Sequence, residues 1–391
     1  MSQQLISRSS DLRKLRDEGY DVEIRSGYLL IKDVPYVNAK KEVKFGILVS
    51  ELTLAGDVTT TPSTHVAMFA GEYPCDKDGS QLEKIRHGGG QQLAENLAVQ
   101  HSFSSKPAGG RSYKDYYEKM TAYVAIFLSH AHAMDPNVTA QTFPVITTEQ
   151  DESIFKYIDT ASSRAGINIA TKKLELARLA IIGLGGTGSY VLDLVVKTPV
   201  KEIHLFDGDV LLSHNAFRSP GAASIEELRA KPKKVAYLKD MYSKMRRGIV
   251  DHGYHIDASN VGELQGMDFV FLCIDAGDAK KLIVENLEKF GLPFIDVGMG
   301  VELVEDSLRG ILRITTSTAE RREPFRQRVS LADAEENADY DRNIQIADLN
   351  ALNAALAVVK WKKLYGFYLD FEKEHNSTYT VDGNMLLSED Q

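Results

Sequence analysis

The sequence predicts an α/β chain: a doubly wound, mainly parallel sheet preceded by a smaller α+β domain. Three observations carry this. From Arg178 to Asp209 an apolar run, a glycine cluster, an amphipathic segment and a second apolar run follow one another. Beyond that stretch, strand-like and helix-like segments alternate, as parallel sheets with crossover helices require. Before residue 150 the pattern differs, with short alternating runs broken by Gly27, Pro35 and Gly46, which read as hairpins. The domain boundaries read as 1–150 and 151–391.

Taken in order, residues 9–18 form a short helix capped by Ser9 or Ser10, and strands follow from Val22 through residue 54 and at 65–70. Pro74, Asp76 and Gly79 make 71–79 a loop, and the Gly, Ser and Gln content of 86–112 reads as an exposed connection. Residues 116–133 are helical, and Ile154, Phe155 and Ile158 are spaced for one helix face within 152–164. The parallel strands are placed at 178–182, 202–206, 253–257, 268–274 and 293–297, with helices at 225–247 and 279–290 and an added strand at 308–315. The segment from residue 320, ERREPFRQR, reads as a charged, mobile stretch. A strong helix spans 344–364, with Leu349, Leu352, Leu356 and Val359 as its apolar stripe, facing core or a dimer partner. Asn350 and Asn353 then fall on its surface or at an interhelix contact.

Composition narrows the class. The 391 residues are 43% hydrophobic and 26% charged, enough for a sizeable core. Lys+Arg 46 against Asp+Glu 55 gives a net charge of −9, which disfavours nucleic acid as a partner. Two cysteines, Cys75 and Cys273, exclude a disulfide framework and a four-cysteine structural zinc site. The first residues lack the apolar core of a signal peptide, and no apolar run approaches the roughly 18–20 residues that span a bilayer. The expectation is a cytoplasmic protein without membrane contact.

The stretch 178–209 has the physics of a Rossmann-like nucleotide-binding unit. Gly183, Gly185, Gly186 and Gly188 let the backbone turn sharply and approach a phosphate, and the following helix offers free N–H groups to negative charge. Asp207, 19 residues after Gly188, stands where an acid meets ribose. These residues leave NAD, FAD and ATP open.

Downstream come Asp209, Asn215 and Arg218, then Lys233, then Cys273-Ile-Asp275 after an apolar strand. This ordered set, over roughly residues 160–365, resembles the ThiF/MoeB/HesA superfamily, which includes the adenylation domains of ubiquitin-activating enzymes. The resemblance implies attack on the ATP α-phosphate by the C-terminal carboxylate of a small ubiquitin-like or sulfur-carrier protein, giving an acyl-adenylate and pyrophosphate. It implies Asp207 at the ribose, Asn215, Arg218 and Lys233 at the phosphates, and Asp275 on magnesium with Asp209 in support. It also implies a homodimer with an arginine supplied by the partner subunit, for which Arg164 is the candidate. The segment from Asp11, with the loop GEYPCDKDG, resembles an uncharacterised domain fused ahead of ThiF-like modules in bacterial operons that carry ubiquitin-like proteins.

The chain departs from the family in places. It has no CxxC pairs for structural zinc and no cysteine after Cys273, and Ser219 and Ala276 replace the usual Gln and Asn. A thioester step within this chain would fall to Cys75, which reads either as a semi-buried loop thiol or as a nucleophile. Otherwise the adenylate is the end point, or it passes to a thiol on another protein such as an E2-like one. Cys273 reads as a small core residue. Competing classes are adenylation of a small molecule, peptide or tRNA-linked group, a non-catalytic nucleotide-binding scaffold, and an NAD-dependent oxidoreductase.

Overall fold

Short alternating runs become strands where one face is buried, and continuous apolar runs become strands where both are. Both kinds occur in a computed structural model of the chain, which describes residues 2–148, 153–275, 277–329, 331 and 344–388. The chain divides into two units: residues 1–152 with 157–167, and residues 153–156 with 168–391.

The first unit is built on a six-stranded antiparallel sheet. Its strand order is Val22–Arg25, Tyr28–Val37, Val43–Glu51, Val66–Ala70, His101–Ser104 and Arg86–Gly88. The helix Tyr116–His132 opens at Asp115, whose carboxylate accepts the Glu118 N–H at 2.8 Å, and lays Tyr116, Met120, Tyr123 and Phe127 on that sheet. Phe127 meets Phe69 and Phe103 edge to face, with centroids 5.1 and 5.4 Å apart. Residues 86–104, expected to be a connection, supply strands instead, because Leu97, Val99 and Phe103 are apolar enough to bury despite polar neighbours. The 152–164 helix shrinks to Thr160–Arg164, since Asp159 accepts the N–H groups of Ala161 and Ser162 and starts the helix there.

The second unit carries an eight-stranded sheet. Its order is Ile249–His252, Glu202–Phe206, Arg178–Ile182, Phe269–Leu272, Phe294–Val304, Ser307–Ser317, Asn376–Thr380 and Met385–Ser388. The first five strands are parallel and the last three antiparallel. Leu179 and Ile181 point into one core with Phe271 and Trp361, while Ala180 and Ile182 point into another with Ile283 and Phe325. Helices on both faces thus explain the uninterrupted apolar character of this strand.

Several elements differ from the sequence reading. The edge strand is Ile249–His252, ending before Gly253, and not 253–257. The 225–247 helix is two, Ile225–Ala230 and Lys234–Ser243, parted where Lys231 takes φ 46° ahead of Pro232. The charged stretch at 320 contains the helix Glu323–Arg328, anchored by Phe325 against Phe294. On the helix Ala347–Leu364 the buried face is Asn350, Asn353, Ala354, Ala357, Val358 and Trp361, whereas Leu352 and Val359 are exposed. Ala276 and the 332–343 segment lie outside the described residues. Among the described residues no helix is long and apolar enough to cross a membrane.

Candidate functional site

A cleft of about 580 Å³ opens in the second unit at the carboxyl ends of the parallel strands. Ligands of open α/β sheets bind at that end, because the βα turns and helix N-termini converge there. The cleft begins with the turn after the strand Arg178–Ile182. Gly183 adopts φ 85°, a conformation only glycine takes freely, and its N–H donates to the Phe206 carbonyl at 2.9 Å. The helix Gly186–Val195 starts immediately, capped at Gly185, so its first N–H groups face the opening. Gly183, Gly185 and Gly186 line the cleft, while Gly188 is packed behind them against the Gly183 carbonyl.

Asp207 follows the strand Glu202–Phe206 directly and is buried. Its carboxylate accepts the Leu184 N–H at 2.7 Å and the Asp209 N–H at 2.8 Å, which ties the glycine turn to the Asp-Gly-Asp turn. Asp209 lines the cleft from the rim, with Lys234 Nζ at 2.7 Å and His255 Nε2 at 3.5 Å. The hydrogen bond from Lys234 is the main cause holding the Asp209 carboxyl below the usual carboxylate range. Arg218 lines the same cleft, and its Nε is buried with no hydrogen-bond partner among the described residues. A donor stranded in that way suits an anionic ligand. Asp275, on the turn after the strand Phe269–Leu272, is exposed to the cleft, and no cation pairs with it among the described residues.

The structure therefore brings Gly183, Gly185, Gly186, Asp207, Asp209, Arg218 and Asp275 around one opening. Asn215 stands beside it without lining it. That residue is buried, and its Oδ1 accepts the Leu212 N–H at 2.9 Å, so it shapes the turn that carries Arg218. Lys233 is exposed, and its ammonium donates to the Gly208 carbonyl, outside the cleft lining. Lys234, the next residue, lines the cleft instead.

Cys75 and Arg164 belong to the first unit. Cys75 is 1% exposed, and its thiol donates to the Tyr73 carbonyl. Burial, then Asp76 and Glu72, push that thiol up, which disfavours the thiolate a thioester would need. Arg164 is exposed at the end of the helix Thr160–Arg164. Cys273, expected in the core, lines the floor of the cleft, and burial raises its thiol well above the ordinary value.

The sequence reading gave no site role to Lys234, His255, Gln345 and Asn353, all of which line the cleft. Asn353 donates to the Gly298 carbonyl at 3.1 Å, and Asn350 accepts from Thr187 at 2.8 Å. Asn350 thereby holds the helix Ala347–Leu364 to the glycine turn, and Asn353 holds it to the strand Phe294–Val304. The signal for Lys234 was the Lys233-Lys234 doublet itself, two basic residues where a phosphate-binding group was sought.

Magnesium takes one or two carboxylates and completes its shell with phosphate oxygens and water. Asp275, exposed to the cleft and unclaimed by any cation among the described residues, fits that requirement. Among the described residues no group of three or more His, Cys, Asp or Glu is arranged to hold a metal unaided.

Comparison with known proteins places these features. Residues 134–310 match the ThiF family, and residues 10–160 match a domain of unknown function, DUF6791. None of the curated proteins compared matches the chain. Among solved structures the chain is similar to E. coli MccB, with 18% identity over 57% of this chain and 64% of MccB, at a TM-score of 0.44. It thus spans less than two thirds of that MccB chain. PaaA is similar at 15% identity, over 70% of this chain and 92% of PaaA, with a TM-score of 0.45. The Microcin C7 biosynthetic enzyme MccB in complex with N-formylated MccA is similar at 16% identity, over 74% of this chain and 91% of that one, with a TM-score of 0.44. The strand, glycine turn and carboxylates that form the cleft fall inside the span that matches the ThiF family, which follows a span that matches DUF6791.

Proposed function

We propose that the chain adenylates the C-terminal carboxylate of a peptide or small protein with ATP, and that the substrate is a ubiquitin-like or sulfur-carrier-like protein. The observation that carries this reading is the convergence of Asp207, Arg218 and Asp275 on one cleft at a helix N-terminus. An NAD-dependent oxidoreductase has a use for Asp207 but none for Arg218 and Asp275.

The chemistry joins a carboxylate oxygen to the α-phosphorus and breaks the bond to the leaving pyrophosphate. The residues supply positioning and charge. Asp207 accepts from the ribose hydroxyls, and the first N–H groups of the helix Gly186–Val195 meet a phosphate. Arg218 offers its stranded donor to the outer phosphates, where negative charge grows as pyrophosphate departs. Magnesium bound at Asp275 would neutralise phosphate charge and orient the leaving group. Lys233, now on the Gly208 carbonyl, joins the phosphates only after exchanging that partner. The partner enters as an extended carboxyl terminus, and onward transfer is to a thiol on an E2-like protein rather than to Cys75. A second copy of the chain supplying Arg164 completes the reading.

ATP–pyrophosphate exchange tests it, with the small proteins encoded beside this chain as substrates. Exchange that depends on a free carboxyl terminus and on magnesium is expected. Release of ADP in place of AMP and pyrophosphate would refute adenylation.

A further inference from the structure

A lysine buried beside carboxylates costs desolvation energy, and its contacts show what that cost secures. Lys234 is 6% exposed, with its ammonium 2.7 Å from Asp209 Oδ2 and 3.6 Å from Asp207 Oδ2. Its own N–H donates to the Asp209 carbonyl at 3.0 Å, the Leu211 N–H donates to the Pro232 carbonyl at 2.7 Å, and Val210 and Lys233 form an antiparallel bridge. The start of the helix Lys234–Ser243 is therefore laced to the Asp-Gly-Asp turn from both sides.

Asp207 occupies the centre of this arrangement. A carboxylate offers about four acceptor sites, and the N–H groups of Leu184 and Asp209 take one on each oxygen. The remaining sites are those a ribose would use. Two carboxylates one residue apart, in a cleft that must also admit a polyphosphate, repel each other and the ligand. The Lys234 ammonium sits between them and removes that repulsion. Its contact with Asp209 is the shorter one, which leaves Asp207 oriented but not consumed. Arg218, by contrast, has a donor unclaimed among the described residues. The two cations thus divide the cleft: Arg218 faces a new anion, and Lys234 serves the anions the protein already holds.

We propose that Lys234 is a positioning residue for ribose recognition: it pins Asp209 and holds the Asp207 carboxylate in the orientation that receives the nucleotide hydroxyls. The inference rests on the reading of Asp207 as the ribose acid and names the residue that makes that acid selective. A lysine that only filled space would leave the preference for ribose hydroxyls intact, and a lysine that clamped phosphate would distinguish ATP from AMP.

Calorimetric titration of the full chain with ATP, AMP and 2′,3′-dideoxy-ATP separates these roles. Hydrogen bonds to a charged group are worth about 1.5–3 kcal/mol, so the unaltered protein should prefer ATP over the dideoxy nucleotide by about tenfold or more. In Lys234→Met that preference falls to about threefold or less, with ATP and AMP weakened alike, and Lys234→Arg recovers part of it. Asp209→Ala, at an exposed position, removes the carboxylate that Lys234 pins, produces the same collapse while the buried lysine stays in place, and so guards against misfolding of Lys234→Met. A preference that survives in both variants, or a loss confined to ATP and absent for AMP, overturns the inference. An unaltered protein that binds no ATP, or binds it without regard to the hydroxyls, overturns the nucleotide reading beneath it as well.

Discussion

Replacing Gly188 by alanine tests whether the glycine cluster is built for packing or for ligand. A Cβ on Gly188 would lie 1.9 Å from the Gly183 carbonyl oxygen, 3.0 Å from its carbon and 3.1 Å from the Cys273 Cβ. Carbon and oxygen ordinarily approach to about 3.3 Å, so the helix must move off the strand end by roughly 1.4 Å, against backbone that cannot rotate away. Overpacking of this kind costs about 1–3 kcal/mol, and the clash with backbone places it at the upper end. Helix propensity returns about 1 kcal/mol of that. A net loss of about 2 kcal/mol corresponds to a fall of about 4–8 °C in Tm for a unit of this size. Gly185→Ala is the control. A Cβ there meets nothing within 4 Å, at φ −70°, but it projects where a phosphate would approach the helix N-terminus. Its melting temperature should fall by no more than about 2–4 °C, since an N-cap change from glycine costs under about 1 kcal/mol, while ATP affinity falls sharply. Thermal melts with and without ATP read both effects. Equal destabilisation by the two substitutions, or an unchanged melt for Gly188→Ala, would refute the packing argument.

Other substitutions probe the remaining groups. Arg218→Gln should weaken ATP by about tenfold or more while sparing AMP, as expected for one lost charged hydrogen bond to the outer phosphates; titration of the two nucleotides decides it. Asp275→Asn should abolish magnesium-dependent exchange yet leave metal-free ATP binding intact. Cys75→Ala should retain full ATP–pyrophosphate exchange and any thiol-sensitive adduct, because the thiol is buried and pushed up; loss of the adduct alone would restore Cys75 as a carrier. Burial holds the Lys119 ammonium down at about 8, with Ser50 and the Thr64 carbonyl as its partners. The unfolded chain keeps that proton to about pH 10.4, so between pH 8 and 10 it binds more protons than the folded one and stability rises with pH. The full span is worth roughly 3 kcal/mol. Lys119→Met should remove the rise, read as the difference between the two proteins in melts across that range.

What the sequence disclosed depended on whether the information was local. The strand, turn and helix at 178–195 were legible because adjacent residues dictate them: apolar on both faces, then glycines, then an amphipathic run. Asp207, Arg218 and Asp275 were legible because each follows a recognisable strand or turn in a set order, and the cleft does gather them. Lys233 and Lys234 could not be ranked that way. Lys233 is the last extended residue, at ψ 139°, and Lys234 is the first helical one, so a single change in backbone angle sends the two side chains apart. The strands within 86–104 were hidden for a related reason, since their few apolar residues bury only when neighbouring strands from distant sequence cover them.

The C-terminal helix shows most clearly why periodicity failed. Leu349, Leu352, Leu356 and Val359 form the stripe that ordinarily marks the buried face. Here the buried face carries Asn350, Asn353, Ala354 and Ala357, because this helix packs against the helix that begins at Gly186. A Cβ on Gly186 would stand 2.1 Å from Asn350 Nδ2, so the two helices approach at a distance that leucines would forbid. Small residues permit that approach, and the asparagines then reach the site, Asn350 accepting from the Thr187 hydroxyl and Asn353 donating to the Gly298 carbonyl. Of the expected stripe, Leu352 and Val359 are left outward, at 37% and 40% exposure, while Trp361 takes the core position. Close packing around a glycine-rich turn thus inverts the usual meaning of an apolar stripe. The asparagines are the price of bringing a helix close enough to close the cleft, and their polarity, which read as surface or as an interhelix contact, marks the helix face nearest the cleft.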